Sequence, residues 1–500
     1  MRFMTKMLRR RLPVGIAAIF TVAVIVGTSA SSAAADSFGF PFTPPTKIEY
    51  MAGYPAPGTP EPLNKVGVVK VGWPFARNVL VLEPGTSAGS AYFVPLAKWI
   101  TQFLPGWQVW SVERRENLLE DQSELNLAKE GKASGEELFN YYLGWITHPG
   151  LSETLFKESV VAHLGKVLNS GATYADQWGM KVAVEDLHRV ISAARMLGGR
   201  VVLGGHSLGG SVVTAYATWN FNGTPGADQL AGLVYDDGGS GPTAVSSETA
   251  EGELKALAAK SPWLAFGGVP SPFLGLFSAL GATGTVVSPN ERSLAESFPL
   301  LPANLVPRNS KGEPIPVTNE AEFGYGVNVG TSPPNLIAAQ VHAGKGLEET
   351  AMEDGLVGWN GEGAITPLKR YAEMLSGTGL TGIDGSEWYF PERLTIDTGA
   401  VADGNENPAQ KVLEVEATEG HHLPRSLKIL AIDTELDKVL SGGNALQAAE
   451  VLSEQSGIPK SNLTLIDRED TYAHNDPAGA FPANAFFEHL VPFLIRAGGL

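Results

Sequence analysis

A five-residue segment, Gly205-His206-Ser207-Leu208-Gly209, constrains the fold of this chain more than any other feature. The apolar run before it, residues 200–204, has the composition of a buried strand, and the small apolar residues after it, 210–217, suit a buried helix. A strand and a helix joined this closely need glycine at their contact points. The segment therefore predicts a strained turn that presents Ser207 above the edge of a sheet, at a helix N-terminus. A chance match in a chain with 58 glycines is the alternative, and the flanking strand and helix argue against it.

Strands and helices alternate along much of the remaining chain. Apolar runs predict strands at 66–71, 78–82, 108–112, 230–235, 427–432 and 463–466. Helical spacing covers 91–104, most of 136–197, and 483–495. This alternation predicts an α/β fold with a mostly parallel central sheet flanked by helices on both faces. The Pro- and Gly-rich segment 36–74 is expected to be an extended arm, apart from its possible strand at 66–71.

The segment between Tyr235 and Leu427 does not alternate and is far too long for a loop. It leaves and re-enters the sheet at strand ends, where α/β sheets bind ligands, so we predict a large cap insertion over Ser207. An insertion packed away from the site is the alternative. Its apolar residues between Trp263 and Phe277 are expected to roof part of an apolar pocket, with Phe273 and Phe277 among them. The predicted boundaries are 36–237 and 426–500 for the two parts of the core and 238–425 for the cap.

The first 35 residues have the pattern of a cleaved signal peptide. Five basic residues precede the apolar stretch 12–26, and Ala33-Ala34-Ala35 provides a cleavage site. The apolar stretch is shorter than the ~20 residues of a spanning helix, which disfavours the alternative of a membrane anchor. We expect a secreted or periplasmic protein, by the Sec route or, from Arg9-Arg10, the twin-arginine route.

Composition excludes several classes of function. The chain has no cysteine, so disulfides, thiolate metal sites, a cysteine nucleophile and lipid attachment through cysteine are impossible. The formal net charge of −17 disfavours nucleic acids and anionic membranes as partners. We therefore expect a small-molecule ligand, with no stable membrane anchor once the signal peptide is removed.

Ser207 can act as a nucleophile only if a base removes its proton. His474 is the predicted base, because it lies in a polar loop after the last strand, where a mobile imidazole is needed. His489 falls inside the closing helix and is expected on its surface. His206 is expected to pack beneath the turn.

A carboxylate should orient the base. Asp437 is the predicted acid because it follows the strand at 427–432 after a turn that gives it reach towards His474. Asp433 and Glu435 follow the same strand, and Asp236 or Asp237, after the strand at 230–235, form a second possibility.

An acyl-transfer site also needs two backbone N–H donors for the oxyanion. We predict those of Leu208 and of Thr86, in the glycine-containing loop after the strand at 78–82. No nucleotide- or phosphate-binding motif is present, so no cofactor is expected. Residues 403–407 and His421-His422 are interpreted as solvated turns and not as metal sites.

The chain resembles the α/β-hydrolases of the serine lipase and esterase type. The resemblance rests on residues 205–210 and covers roughly 66–237 and 427–497; Asp437 and His474 occupy the places of the acid and base, and Gly85-Thr86 that of the oxyanion loop. Pro84 stands where many members have histidine. The resemblance implies a serine hydrolase that cleaves small carboxylic esters, with an apolar acyl or aryl group favoured. An acyltransferase, an amide or peptide hydrolase, and a catalytically inactive binding protein are the alternatives.

Overall fold

The computed structural model describes residues 43–147, 172–266, 269–298, 301, 303–439 and 444–499. The predicted signal peptide, 1–35, lies outside the described residues. From residue 43 onward the chain packs as one unit.

The central sheet contains eight strands, and its order is β1-β2-β4-β3-β5-β6-β11-β12. The bounds are β1 Thr46–Ala52, β2 Lys65–Gly72, β3 Asn78–Glu83, β4 Trp107–Glu113, β5 Val201–His206, β6 Gly232–Asp236, β11 Lys428–Asp433 and β12 Leu463–Asp467. Strand β2 is antiparallel to both neighbours, and the other neighbouring pairs are parallel. Two short ribbons pair β7 (Ala265–Phe266) with β8 (Val269–Pro270) and β9 (Gly346–Leu347) with β10 (Trp359–Asn360).

All the strands predicted from apolar runs are present. The inner strands were visible in the sequence because both faces of the sheet are buried there, so these strands are apolar on both sides; β12, at the edge, is only partly buried. On β3, for example, Val79 and Val81 join one apolar cluster, while Leu80 and Leu82 join the cluster on the opposite face. The expectation that 36–74 is otherwise an extended arm is wrong in part, because β1 pairs with β2 along its whole length.

Helices cover both faces. The described helices are α1 Val94–Phe103, α2 Ser123–Lys129, α3 Gly135–Thr147, α4 Met180–Arg195, α5 Leu208–Thr218, α6 Ser247–Leu257, α7 Ser271–Val287, α8 Asn319–Val327, α9 Leu368–Ser376, α10 Glu392–Thr398, α11 Pro408–Leu413, α12 Ala445–Ser456, α13 Asp476–Gly479 and α14 Ala485–Gly498. Helices α1 and α14 contribute to one face, where Trp99 stacks on Phe487 with ring centroids 4.0 Å apart. Helices α4, α5 and α12 contribute to the other. Among the described residues, no helix is both long enough and apolar enough to cross a bilayer.

The segment predicted as a cap, 238–425, packs in two ways. Its later part, with α10 and α11, belongs to the same apolar cluster as α4, α5 and the sheet. Its earlier part contains α7, which packs against α8 and α9. Trp263 and Leu276 are buried in a third cluster together with Trp178 and Tyr389, so part of the predicted apolar roof forms internal core. Phe273 and Phe277 are half-buried.

Candidate active site

Ser207 occupies a sharp turn between β5 and α5. Its backbone lies at φ 56° and ψ −127°, a conformation that costs energy for a residue with a side chain. A Cβ at Gly205 would overlap the carbonyl of Gly209, and a Cβ at Gly209 would overlap that of Glu83, so both glycines are needed for strand, helix and neighbouring loop to meet. The Ser207 side chain is partly exposed, as the strand–turn–helix prediction requires.

His474 is held by Asp237. Nδ1 of the imidazole contacts Oδ2 of Asp237, and both side chains are buried. The carboxylate is fixed in turn by Thr434, whose N–H donates to Oδ1 at 2.6 Å and whose hydroxyl bonds Oδ2. Because Nδ1 is engaged by Asp237, Nε2 is the nitrogen available to accept a proton.

This pairing corrects the expectation that Asp437 is the partner of His474. Asp437 lies beside Asp237 and Asp433, with carboxylate oxygens of the three within 4.8 Å of one another. The physical reason is the order of the sheet: β6, which leads into Asp237, lies between β5 and β11. Asp237 is therefore one strand closer to Ser207 than any residue that follows β11. A Cβ at Gly238 would overlap the backbone of Ser207, so the residue after Asp237 packs directly against the serine.

His206 and His489 lie as predicted. The ring of His206 packs between Tyr92 and His474, with centroid separations of 5.0 and 4.3 Å, and its Nε2 is 3.0 Å from the carbonyl oxygen of His474. The Tyr92 hydroxyl donates to Oδ1 of Asn475 at 3.0 Å, so these rings support the loop that carries His474. His489 is exposed on α14.

Burial sets the protonation of the site. It lowers the pKa of His474, so the imidazole is neutral near pH 7. Burial raises the pKa of Asp237 to about 6, although hydrogen bonds from Thr434 and Asp437 oppose this shift. Burial, followed by the repulsion of a neighbouring aspartate, raises the pKa values of Asp433 and Asp437 to about 8. At neutral pH the site therefore combines a neutral base with an ionised Asp237.

The 84–89 loop, which follows β3, lies directly against Ser207. A Cβ at Gly85 would be 2.8 Å from Cβ of Ser207, and the turn closes with the N–H of Ala88 donating to the carbonyl of Gly85 at 3.3 Å. In the part of the chain that the structure describes, no backbone carbonyl accepts from the N–H of Thr86 or from that of Leu208. Both predicted donors thus lie on segments that adjoin Ser207, and their role as oxyanion donors stays a prediction.

The 238–425 segment contacts the loops on both sides of the site. Ala88 forms an antiparallel bridge with Ser386, and the N–H of Asn475 donates to the carbonyl of Gln340 at 3.2 Å. The buried carboxylate of Asp476 accepts from the N–H of His342 at 3.1 Å and from the hydroxyl of Thr366 at 2.6 Å. The insertion is therefore attached to the loop that carries His474 and to the loop that carries Thr86.

The sites interpreted as solvated turns are occupied by local hydrogen bonds. The side chain of Asn405 donates to Asp403 at 2.9 Å, and His422, which is exposed, pairs with Glu419 at 2.7 Å. The carboxylates of Asp237, Asp433 and Asp437 are spaced closely enough to approach a cation, but Asp237 is engaged by His474 and Thr434.

The order of the sheet, its single antiparallel strand β2 and the turn at Ser207 between β5 and α5 define the α/β-hydrolase fold. No protein-family model matches the sequence, and no curated protein matches it.

Among solved structures, the chain is similar to a candidate lipase from Sulfolobus solfataricus, at 12% identity over 90% of this chain and 93% of that one, with a TM-score of 0.42. A soluble variant of monoglyceride lipase from Saccharomyces cerevisiae gives 12% identity, coverage of 91% and 96%, and a TM-score of 0.36. A carboxyl esterase from Bacillus coagulans gives 11% identity, coverage of 90% and 98%, and a TM-score of 0.37.

Proposed function

We propose that this chain is a serine hydrolase of carboxylic esters that forms an acyl-enzyme on Ser207, with His474 as the base and Asp237 as its orienting acid. The observation that supports this most directly is the contact between His474 and Asp237 beside the strained turn. The N–H of Ser207 donates to the carbonyl of Asp236 at 3.0 Å, so the residue before the acid is hydrogen-bonded to the backbone of the serine.

In the proposed reaction, Oγ of Ser207 transfers its proton to Nε2 of His474 and bonds to the ester carbonyl carbon. The alkoxide leaves as an alcohol after taking that proton from His474. Water then gives a proton to His474 and attacks the acyl-enzyme; as the acid leaves, His474 returns that proton to Oγ of Ser207 and restores its hydroxyl. Asp237 stabilises the imidazolium that forms in each step.

The carbonyl oxygen becomes negatively charged in both tetrahedral intermediates. The N–H groups of Leu208 and Thr86 are our proposed donors to it. Leu208 is the first residue of α5, so the helix dipole adds a favourable potential at that point.

The substrate we propose is a small ester with an apolar acyl or aryl group, because the insertion that borders the site is rich in apolar side chains. The basic and apolar pattern of the first 35 residues supports export from the cytoplasm.

The experiment that tests the nucleophile is active-site labelling with a fluorophosphonate, followed by peptide mapping. Ser207→Ala should abolish labelling and lower esterase activity by several orders of magnitude. Ser211→Ala is the matched control, because Ser211 lies one turn further along α5 and its buried hydroxyl donates to the carbonyl of Gly239 at 2.9 Å. Labelling of another serine in the wild type would refute the assignment.

Product analysis separates hydrolysis from acyl transfer. With an added alcohol as acceptor, a hydrolase releases mainly the free acid, whereas an acyltransferase yields mainly the new ester.

A further inference from the structure

Arg114, which directly follows β4, is buried behind the 84–89 loop and makes five hydrogen bonds. Three of them go to backbone carbonyls of the loop: Pro84 at 2.9 Å, Gly85 at 2.8 Å and Ala88 at 3.1 Å. The other two go to the carboxylates of Glu83 at 2.8 Å and Glu387 at 2.9 Å. A single guanidinium thus binds three of the six backbone carbonyls of the loop.

Because the peptide bond is planar, the contact between Arg114 and the carbonyl of Gly85 also fixes the direction of the N–H that follows it. The carbonyl of Gly85 and the N–H of Thr86 belong to one trans peptide unit, so they point in opposite directions. Because Arg114 holds the carbonyl of Gly85, the N–H of Thr86 is directed away from Arg114. The same argument applies to the carbonyl of Pro84 and the N–H of Gly85, the residue that lies against Ser207.

The insertion completes this support. The N–H of Glu387 donates to the carbonyl of Ser87 at 2.9 Å, and the N–H of Gly89 donates to the carbonyl of Gly385 at 3.0 Å. The carboxylate of Glu387 is also 2.7 Å from Nη2 of Arg114. With Ser87 bound to Glu387, the carbonyls of residues 84, 85, 87 and 88 are all occupied.

From this arrangement we infer that Arg114 is a positioning residue for the oxyanion hole, and that Glu387 of the insertion anchors it there. Arg114 is too deeply buried behind the loop to be a substrate contact, and it acts through the direction of the Thr86 N–H. Although burial opposes it, the carboxylates of Glu387 and Glu83 raise the pKa of Arg114, so the guanidinium stays charged. This inference rests on the proposed function, since it assigns a role within the same reaction.

Arg114→Lys is the principal test, because an ammonium group keeps the charge but cannot hold three carbonyls in a fixed planar array. Arg115→Lys is the matched control. Arg115 is the next residue and is also buried, but it binds Asp186 at 2.6 Å and the carbonyl of Tyr54 at 2.9 Å. Each variant is assayed for kcat and KM with a p-nitrophenyl ester, and for the Ki of an aryl trifluoromethyl ketone, which forms an oxyanion on the serine.

We expect Arg114→Lys to lower kcat by roughly 10- to 100-fold while KM stays nearly constant. This decrease is no larger than the one caused by removing one oxyanion donor. The Ki of the ketone should rise in proportion, because it depends on the same donors. Arg115→Lys should leave kcat per folded molecule unchanged. If Arg114→Lys does not fold, Glu387→Gln serves instead, because it keeps the backbone bond to Ser87 and weakens the hold on Arg114. A smaller loss of kcat, with a proportionally smaller rise in Ki, is then expected.

An unchanged kcat and Ki in Arg114→Lys, or in Glu387→Gln where that variant replaces it, would overturn the inference while leaving the proposed function intact. An equal loss of kcat in Arg115→Lys would also overturn it, because the effect would then be general destabilisation. A wild-type protein that neither hydrolyses esters nor is labelled at Ser207 would overturn the proposed function itself, and this inference with it.

Discussion

Asp237 and Asp437 lie side by side at the carboxyl edge of the sheet, and it is Asp237 that contacts His474. The effects of replacing each aspartate can be compared directly, because both carboxylates lie in one cluster and only Asp237 contacts His474. Their separate replacement by asparagine distinguishes an orienting acid from a neighbour.

Asp237→Asn should lower kcat by about 10⁴-fold, because an amide favours the wrong tautomer of His474 and cannot stabilise its cation. Asp437→Asn should retain activity within about tenfold, since its amide can still donate to Asp237. Steady-state kinetics with a p-nitrophenyl ester measure both effects. Full activity in Asp237→Asn together with an inactive Asp437→Asn would restore Asp437 as the acid.

The rate should depend on the protonation of the His474–Asp237 pair. Burial lowers the pKa of His474, which is neutral across the working range, and raises that of Asp237 to about 6. Protonation of Asp237 removes the charge that stabilises the imidazolium, so kcat/KM should rise with pH through an apparent value near 6 and then level off. A profile that stays flat down to pH 4 would contradict this. Asp437→Ala, which removes a hydrogen bond that lowers the pKa of Asp237, should move the rise to higher pH.

Asp433 and Asp437 should make the protein less stable as pH rises. Burial first, and then neighbouring aspartates, raise their pKa values to about 8 in the folded state, well above those of unfolded chains. Between the unfolded and folded pKa values of these two groups, the folded state binds more protons. Their contribution to stability is therefore greatest at low pH and falls as pH increases towards 8. Thermal unfolding should show Asp437→Asn gaining stability over the wild type at pH 9 and little at pH 4. A larger gain at pH 4 would have the wrong sign.

Gly85→Ala should impair catalysis without unfolding the protein. The new Cβ would lie 2.8 Å from that of Ser207, so the 84–89 loop must shift away from the serine. Gly252→Ala is the control: Gly252 is exposed within α6 and has no atom within 4 Å of the added methyl, so the change should stabilise the helix by about 0.5–1 kcal/mol. Equal kcat values for the two variants would show that the loop tolerates displacement.

Phe273 and Phe277, both half-buried on α7, remain candidates for the roof of an acyl pocket. Replacing both with alanine should reduce kcat/KM more for long acyl esters than for acetate, because each buried methylene contributes ~0.8 kcal/mol. Phe75→Ala is the control. Phe75 is 72% exposed and precedes β3, so it lies at the amino-terminal end of that strand, whereas the 84–89 loop lies at its carboxyl end. Equal losses across the acyl series would refute the role.

The sequence was sufficient for the strands of the sheet interior and for the turn at Ser207, because burial on both faces and close backbone contacts leave local patterns. It was insufficient for β1, an edge strand that alternates between half-buried and exposed residues next to Pro-rich segments. It also could not choose the acid. Asp237 and Asp437 both follow predicted strands, and the choice depends on the spatial order β5-β6-β11, which is a long-range property of the fold.

The contacts of the 238–425 segment bear on how this chain could be divided or rebuilt. Glu387, His342 and Thr366 all lie in that segment. Glu387 binds Arg114, which holds the 84–89 loop, and the other two bind Asp476, two residues after His474. Deleting the segment, or exchanging it for that of another protein with this fold, would leave Arg114 without one of its two carboxylate partners and Asp476 without three hydrogen bonds from His342 and Thr366. We therefore expect that the segment is not a removable module, and that a shortened chain without it loses the geometry around Ser207.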